Sequence, residues 1–271
     1  MIGHCLVAKC LASGSSGNVY LIRSGETAIL VDCGLPARAI EGFLKLQHVD
    51  PRSLQAILVT HEHSDHIQSV GTMSRRYGIP VIANVPTIEA IRRQSGEITP
   101  RILATGSTVS LGDLEITSFP TSHDSAEPVG YLVCRGEARV CILTDTGTVL
   151  PFQREMVSLS DLVILESNHD HGLLTAGPYP EHLKNRIRSD KGHLSNVQAA
   201  HLIAEAHRSQ PQTVWLAHLS DVNNNPTRAR RTVSSFLARE GVKGVRLKVA
   251  LRDRPSLAWR SDNIGWQLPL L

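Results

Sequence analysis

The sequence predicts an α/β protein, and three features support that class. Short apolar runs with the length of buried strands alternate with helix-length segments. Polar residues that could bind metal or take part in catalysis lie immediately after several of these runs, where a strand ends and a loop begins. With 41% hydrophobic residues in 271, the chain can bury a full-sized core. No repeat, low-complexity tract or linker interrupts it, so residues 1–271 are expected to form a single domain.

Charge, cysteine content and hydropathy exclude several protein classes. The 28 basic and 25 acidic residues give a formal net charge of +3, so the overall charge does not require a nucleic-acid partner. Five cysteines without a C-x-x-C pair argue against a disulfide framework and a cysteine-rich zinc site. The first residues lack a basic and a long apolar region, and no apolar run reaches about 18 residues. These features predict a cytoplasmic protein without a membrane partner.

The predicted elements follow the chain in order. Strands are expected over 5–12, 19–23, 27–31, 56–59, 81–83, 108–111, 114–118, 130–134, 139–144, 162–165, 213–217, 245–251 and 257–259. Helices are expected over 36–46, 67–77, 87–94 and 197–207, and from Asn225-Pro226 to Gly241. The last two strands are expected to complete the second half of the molecule.

The strongest chemical signal is the segment from His61 to His66, which lies between a predicted strand and a predicted helix. Alternate residues of extended backbone point the same way, so His61 and His63 can bind one metal ion. Where the chain turns into the helix, Asp65 and His66 can offer oxygen and nitrogen to a second ion. A solvated histidine-rich turn is the alternative, but three histidines and an aspartate in six residues favour a metal site.

Other polar residues also follow predicted strands. Asp32 is expected to fix the metal-binding loop by hydrogen bonds rather than to bind metal. Each of His123, Asp145, His169 and His218, taken alone, could be an ordinary surface histidine or a turn cap.

His193 stands in a different context, just before a helix. Ser195 and Gln198 form a capping box, so His193 faces the positive end of the helix dipole. The segment from Ser13 to Asn18 is a small-residue turn between strands, or a nest for a phosphate; the residues alone favour the turn.

The pattern HxHxDH of His61–His66 is the signature of the metallo-β-lactamase fold superfamily, which this chain resembles. The resemblance implies an αββα sandwich and a metal-dependent hydrolase. It leaves the substrate open, because members include thioester hydrolases, lactonases, lactamases and nucleases.

Further motifs extend the resemblance over nearly the whole chain and narrow it. They resemble the YycJ/WalJ-type proteins, bacterial members of the fold that are associated with 5′-to-3′ exonuclease activity on double-stranded DNA and are related to tRNase Z. These motifs are Leu11–Asn18, Glu166–Asp170, Gly177–Pro180, Gly192–Asn196 and Ala217–Ser220. The short spacings after His123 and Asp145 leave no room for the tRNA-gripping arm of tRNase Z or for a β-CASP insertion.

The resemblance also implies roles for individual residues. Two divalent metal ions, zinc by default with manganese or iron as alternatives, would be bound by His61, His63 and His123, by Asp65, His66 and His218, and by a shared Asp145. A hydroxide bridging the ions would attack phosphorus, with Asp65 and His193 as catalytic residues and His193 as proton donor. Candidate substrate contacts are Ser15, Ser16, Asn18 and His169.

The predicted partner is nucleic acid, with DNA favoured over RNA, while protein partners stay open. A small-molecule phosphodiesterase acting on cyclic phosphodiesters would share the same ligands. A thioester or lactone hydrolase of the same fold and a non-catalytic nucleic-acid-binding module are further alternatives.

Overall fold

The computed structural model describes residues 5–262, whose strands belong to two mixed sheets. The chain divides into two compact units. The first unit contains residues 5–120, 125–138 and 251–262 of the described chain, and the second contains residues 121–124 and 139–250. Within residues 5–262, no helix combines the length and hydropathy that crossing a lipid bilayer requires. None of the five cysteines, all of which lie in this range, forms a disulfide.

The first unit is built around a seven-stranded sheet. The strands of the unit are β1 (Val7–Ala12), β2 (Val19–Ser24), β3 (Thr27–Val31), β4 (Ala56–Leu58), β5 (Val81–Ala83), β6 (Pro100–Ile102), β7 (Thr108–Leu111), β8 (Leu114–Pro120), β9 (Val129–Arg135) and β14 (Leu257–Arg260). Its helices are α1 (Ala37–Leu46), α2 (Ser64–Ile67), α3 (Val70–Tyr77) and α4 (Val85–Ser95). The strand order β14-β1-β2-β3-β4-β5-β6 is antiparallel as far as β3 and parallel from β3 to β6. Strands β7, β8 and β9 are antiparallel neighbours.

Parallel pairing of β3 with β4 positions the histidine segment, by which we mean His61–His66. Both strands are fully buried and end at the same edge of the sheet. The backbone N–H of Asp32, just after β3, donates to the carbonyl of Leu58 at the end of β4. The loops that follow β3 and β4 are therefore neighbours.

The second unit contains a parallel set of strands in the order β13-β12-β11-β10. The strands are β10 (Ala138–Leu143), β11 (Leu162–Glu166), β12 (Gln212–Ala217) and β13 (Val245–Val249). The helices are α5 (Pro151–Leu159), α6 (His171–Ala176), α7 (Glu181–Arg188), α8 (Asn196–Ala206) and α9 (Pro226–Arg239). Strands β11 and β12 are buried throughout, which agrees with their apolar runs Leu162–Leu165 and Val214–Ala217.

The structure corrects two predictions about the elements. Strand β14 pairs antiparallel with β1, from Val7 opposite Arg260 to Cys10 opposite Leu257, so it belongs to the first unit and does not complete the second half. By covering the outer side of β1, it satisfies that strand's backbone hydrogen bonds. The predicted single helix over 67–77 is two helices, α2 and α3. Asp65 and His66 therefore lie within α2 rather than in a loop.

The elements β6, α5, α6 and α7 were not predicted from the sequence. All residues of β6 are exposed, and Leu174 is the buried residue of α6, so neither has a hydrophobic period that a sequence pattern can reveal.

Two glycines provide a test of the close packing around the histidine segment. A Cβ atom at Gly34 would lie 1.7 Å from the carbonyl oxygen of Asp65, whereas a Cβ at Gly42, within α1, would meet nothing within 4 Å. We expect Gly34→Ala to lower the free energy of unfolding by more than about 2 kcal/mol, because backbone must move. We expect Gly42→Ala to raise it by about 0.5–1 kcal/mol. Urea unfolding of both variants measures this, and equal changes would contradict the packing described.

Candidate metal centre

The histidine segment places three imidazole rings side by side within the first unit. The ring centroid of His61 lies 4.7 Å from that of His63 and 4.1 Å from that of His66. Asp65 Oδ2 lies 3.5 Å from Nε2 of His66. His61 and His66 are buried, while His63 and Asp65 are partly exposed. Four predicted metal ligands thus form one cluster at the end of β4.

Asp32 fixes this cluster through hydrogen bonds. Its buried carboxylate accepts from the backbone N–H of Thr60 at 2.9 Å and from the Thr60 hydroxyl, and it lies 2.8 Å from Nδ1 of His66. An ionised carboxylate can only accept, so Nδ1 of His66 carries a proton and Nε2 carries the lone pair. This arrangement confirms the prediction that Asp32 fixes the loop by hydrogen bonding.

The same reasoning assigns the tautomer of His61. Thr60 has one hydroxyl proton, and the carboxylate of Asp32 accepts it. Nδ1 of His61 lies 3.1 Å from that hydroxyl oxygen and therefore donates to it. Nε2 of His61, like Nε2 of His66, is then the nitrogen with a lone pair suited to a metal ion.

His123 belongs to the second unit and is held in a similar way. Its Nδ1 donates to the carbonyl of Gly192 at 2.9 Å, which leaves the lone pair on Nε2. That Nε2 atom lies 3.4 Å from Oδ1 of Asp124 and 3.8 Å from Oδ1 of Asp145. Arg186 in α7 holds Asp124 through two hydrogen bonds. His123 therefore lies beside the carboxylate that the sequence predicted as a metal ligand.

The second unit contains four side chains that we call the Glu166 cluster. Asp145, Glu166 and His218 lie at or just after the carboxyl ends of parallel strands, and the fourth, His193, precedes α8. Their ligand atoms lie within 4.8 Å of one another. One oxygen of Glu166 is 2.7 Å from Nδ1 of His193 and 3.1 Å from Nδ1 of His218. Asp145 Oδ1 lies 3.4 Å and 3.3 Å from the same two nitrogens. The structure thus brings together Asp145, His218 and His193, which were predicted to be the shared metal ligand, a ligand of the second ion and the proton donor.

Glu166 is fully buried and ionised in this setting. Burial alone would raise its pKa, but attraction to His193 and the hydrogen bonds from His193 and His218 outweigh burial and lower the pKa to about 2. Its second oxygen accepts from the backbone N–H groups of Thr146 and Leu194, at 3.0 and 3.1 Å. The carboxylate therefore has hydrogen-bond donors on both oxygens.

Glu166 was not among the functional residues predicted from the sequence. An available signal was that Glu166, like Asp32 and Asp145, is an acidic residue at the carboxyl end of a buried apolar strand. Its proximity to His218 follows from parallel pairing, which places Glu166 opposite Ala217 at the end of β12.

The capping box that follows His193 is confirmed. The Ser195 side chain accepts from the backbone N–H of Gln198, and the Gln198 side chain accepts from the backbone N–H of Ser195. His193 thus lies two residues before Ser195, the N-cap of α8.

Backbone strain is concentrated at these sites. Asp32, Asp145 and His218 have φ values of 60°, 55° and 52°, in the left-handed region that side chains other than glycine seldom adopt. Asp32 and His218 directly follow β3 and β12, and Asp145 follows β10 by two residues. Such strain is typical of functional positions that are held in place by the structure around them.

The four candidate substrate contacts lie in different environments. Ser15 and Ser16 are exposed at the tip of their turn, whereas Asn18 is buried. The amide of Asn18 donates to the carbonyl of Gly14 at 3.1 Å and accepts from its N–H at 3.1 Å, so it holds the turn in shape. His169 is 2% exposed, and burial lowers its pKa to about 4.

Comparison with known proteins agrees with this architecture. The family model described as "Beta-lactamase superfamily domain" matches residues 27–219. The chain is 38% identical over 234 residues to the exodeoxyribonuclease YycJ of Bacillus anthracis, covering 85% of this chain and 89% of that protein. It is 38% identical over 245 residues to the exodeoxyribonuclease WalJ of Streptococcus pneumoniae, covering 88% and 91%.

A solved structure shares the fold at lower sequence identity. The metallo-β-lactamase fold protein YhfI of Bacillus subtilis superposes with a TM-score of 0.73 at 18% identity, covering 95% of this chain and all of that one. This likeness confirms the predicted fold class. With the family model and the two relatives, it shows that the chain belongs to the metallo-β-lactamase superfamily, and within it to the family of the YycJ/WalJ proteins that its motifs resemble.

Proposed function

We propose that the protein is a binuclear metal-dependent phosphodiesterase that degrades DNA from a 5′ end. The observation that carries this proposal is the hydrogen bond from His193 to the buried, ionised Glu166, next to Asp145 and His218. A phosphodiester has a poor alkoxide leaving group, so its hydrolysis benefits from such a proton donor. That both relatives are named exodeoxyribonucleases supports nucleic acid as the substrate class and DNA over RNA.

The donor set fits divalent metal ions. His61, His66 and His123 each keep a proton on Nδ1 and a lone pair on Nε2, which is the usual state of a metal-binding histidine. Carboxylates supply the oxygen ligands, and the mixture suits zinc, manganese or iron. The proposed ligands of the two ions are His61, His63, Asp65, His66, His123, Asp145 and His218.

When bound, the ions would supply positive charge that attracts a phosphodiester and lowers the pKa of a water molecule from about 15.7 toward ~7. Residues of the chain then protonate the leaving group. Glu166 accepts the Nδ1 proton of His193 and stabilises the imidazolium form of that ring. The Nε2 proton of the imidazolium is the proton that we assign to the departing 3′ oxygen.

Ser15 and Ser16 are the side chains that we propose for contact with a 5′ phosphate. Both are exposed, and they belong to the turn that Asn18 links to the histidine segment by donating to the carbonyl of Asp65. His169 stays a candidate substrate contact, and a cytoplasmic location stays a prediction.

The first prediction that follows from the proposed function concerns metal binding. We expect wild-type protein to bind two divalent ions per chain and Asp32→Asn to lose about 10- to 100-fold in metal affinity, because an amide NH₂ facing Nδ1 of His66 disfavours the required tautomer. Elemental analysis and competition with a chromogenic chelator measure both. Asp50→Asn, the same change at an exposed position that caps a 3₁₀ turn, is the control. Saturation at one ion per chain, or normal affinity in Asp32→Asn, would contradict the prediction.

The second prediction tests the substrate class. Metal-loaded protein is expected to hydrolyse bis(p-nitrophenyl) phosphate and linear DNA, to act faster on 5′-phosphorylated than on 5′-hydroxyl ends, and to leave circular DNA intact. Parallel assays contain RNA, a cyclic phosphodiester, a thioester, a lactone and nitrocefin. Hydrolysis of one of the last three, with inertness toward all the phosphodiesters, would overturn the proposal. Equal degradation of linear and circular DNA would remove the 5′-end polarity.

The third prediction separates two histidines that share Glu166. His218→Ala is expected to lower metal content, because a strand end aims that ring as a ligand. His193→Ala is expected to keep its metal and lose about 10²- to 10⁴-fold in kcat, because the proton donor is lost. Metal content and kcat are measured in the same buffer, with the exposed His182→Ala as control. Loss of metal in His193→Ala would make His193 a ligand.

A further inference from the structure

Two buried asparagines of the second unit form a reciprocal pair that the proposed mechanism does not use. Nδ2 of Asn196 donates to Oδ1 of Asn224 at 3.1 Å, and Nδ2 of Asn224 donates to Oδ1 of Asn196 at 2.8 Å. Their exposed fractions are 1% and 5%. Asn196 is the first residue of α8, and Asn224 lies in the loop between β12 and α9. The pair therefore joins the segment that contains His193 to the loop that begins with His218.

The same two amides also hold the end of β11. The Ser167 hydroxyl donates to Oδ1 of Asn196 at 2.6 Å, and Nδ2 of Asn224 reaches the carbonyl oxygens of Ser167 and Asn168 at 2.9 and 3.1 Å. The Asn168 side chain in turn donates to the carbonyl of His218 at 3.0 Å. Thus the segments that supply Glu166, His193 and His218 meet in one buried network of hydrogen bonds.

Backbone hydrogen bonds already join the segment that follows β11 to the segment of His193 and to the segment of His218. The N–H of Asn168 donates to the carbonyl of Leu194, and its carbonyl accepts from the N–H of Ser220. The asparagine pair adds a direct link between the segment of His193 and the loop of His218. Since a buried amide that loses its partner is unfavourable, this link resists displacement of one segment relative to the other.

We infer that Asn196 and Asn224 are positioning residues that keep His193 and His218 on the same carboxylate oxygen of Glu166. Both rings donate to that oxygen, at 2.7 and 3.1 Å, and a small shift of either segment would lengthen one bond at the expense of the other. The catalytic consequence rests on the proposed function, whereas the effect on the rings does not.

The test uses full-length protein with ¹⁵N-labelled histidine. In wild type, the Nδ1–H signals of His193 and His218 are expected to be those of fixed, hydrogen-bonded tautomers; His193→Gln and His218→Gln assign them. In Asn196→Ala, at least one of the two signals should shift or exchange faster with solvent. Spectra are recorded with and without zinc, and circular dichroism checks that each variant is folded.

Gln212→Ala is the matched control. Nε2 of Gln212 is a buried amide that donates to the carbonyls of Val157 and Ser160, both at 2.8 Å, at the opposite end of β12 from His218. This variant should lose stability in the same manner but leave both imidazole signals unchanged. Asn196→Asp keeps the volume and the acceptor and removes the donor to Asn224, so it replaces Asn196→Ala if that variant does not fold.

Kinetics supply the second readout. The variant at Asn196 is expected to lose about 10- to 100-fold in kcat on DNA with little change in KM, while Gln212→Ala keeps the wild-type values. Unchanged imidazole signals in the Asn196 variant, or the same change in Gln212→Ala, would overturn the inference. If the wild-type protein has no phosphodiesterase activity, the proposed function is wrong. The imidazole spectra would still decide whether the asparagine pair positions the two rings.

Discussion

Hydrogen bonds between buried carboxylates and imidazoles are the constraint on which each of the two candidate clusters depends. Asp32 accepts from His66, and Glu166 accepts from His193 and His218. Because an ionised carboxylate has no proton to donate, each ring must keep its own proton on Nδ1. Rotating a ring would leave a buried acceptor short of a partner, at a cost of about 1–3 kcal/mol or more. The direction in which each Nε2 atom points is therefore set before a ligand arrives.

Backbone strain helps to aim these side chains, and burial of the strands offsets it. The left-handed conformations of Asp32, Asp145 and His218 cost on the order of 1–3 kcal/mol each where the residue tolerates them poorly. Each lies at the end of a buried strand that is paired on both sides, so the chain cannot relax without losing ladder hydrogen bonds. Strand burial fixes the position, and the unusual φ angle turns the side chain toward the cluster.

A site residue can be predicted from the sequence when its neighbours in the chain form a recognisable pattern with it. The histidine segment does, because ligand-type residues at such short spacing seldom occur together outside metal sites. Glu166 does not, since a single acidic residue after a strand is common, and its role emerges once β11 and β12 are paired in register. For the same reason the sequence predicted the strand β14 but not its partner β1. Alternating hydrophobicity specifies that a strand has a buried face, and not which strand lies beside it.

The buried negative charge of Glu166 is stabilised because hydrogen-bond donors from separate segments approach its two oxygens. Backbone N–H groups of Thr146 and Leu194 approach one oxygen and two imidazoles approach the other. Fewer donors would raise its pKa, and a protonated carboxyl group could donate to an imidazole nitrogen instead of accepting from it. The ring of His193 would then carry its lone pair on Nδ1, and Glu166 would no longer stabilise the imidazolium that the proposed proton transfer requires. The location of one imidazole proton thus depends on loops that are far apart in the chain.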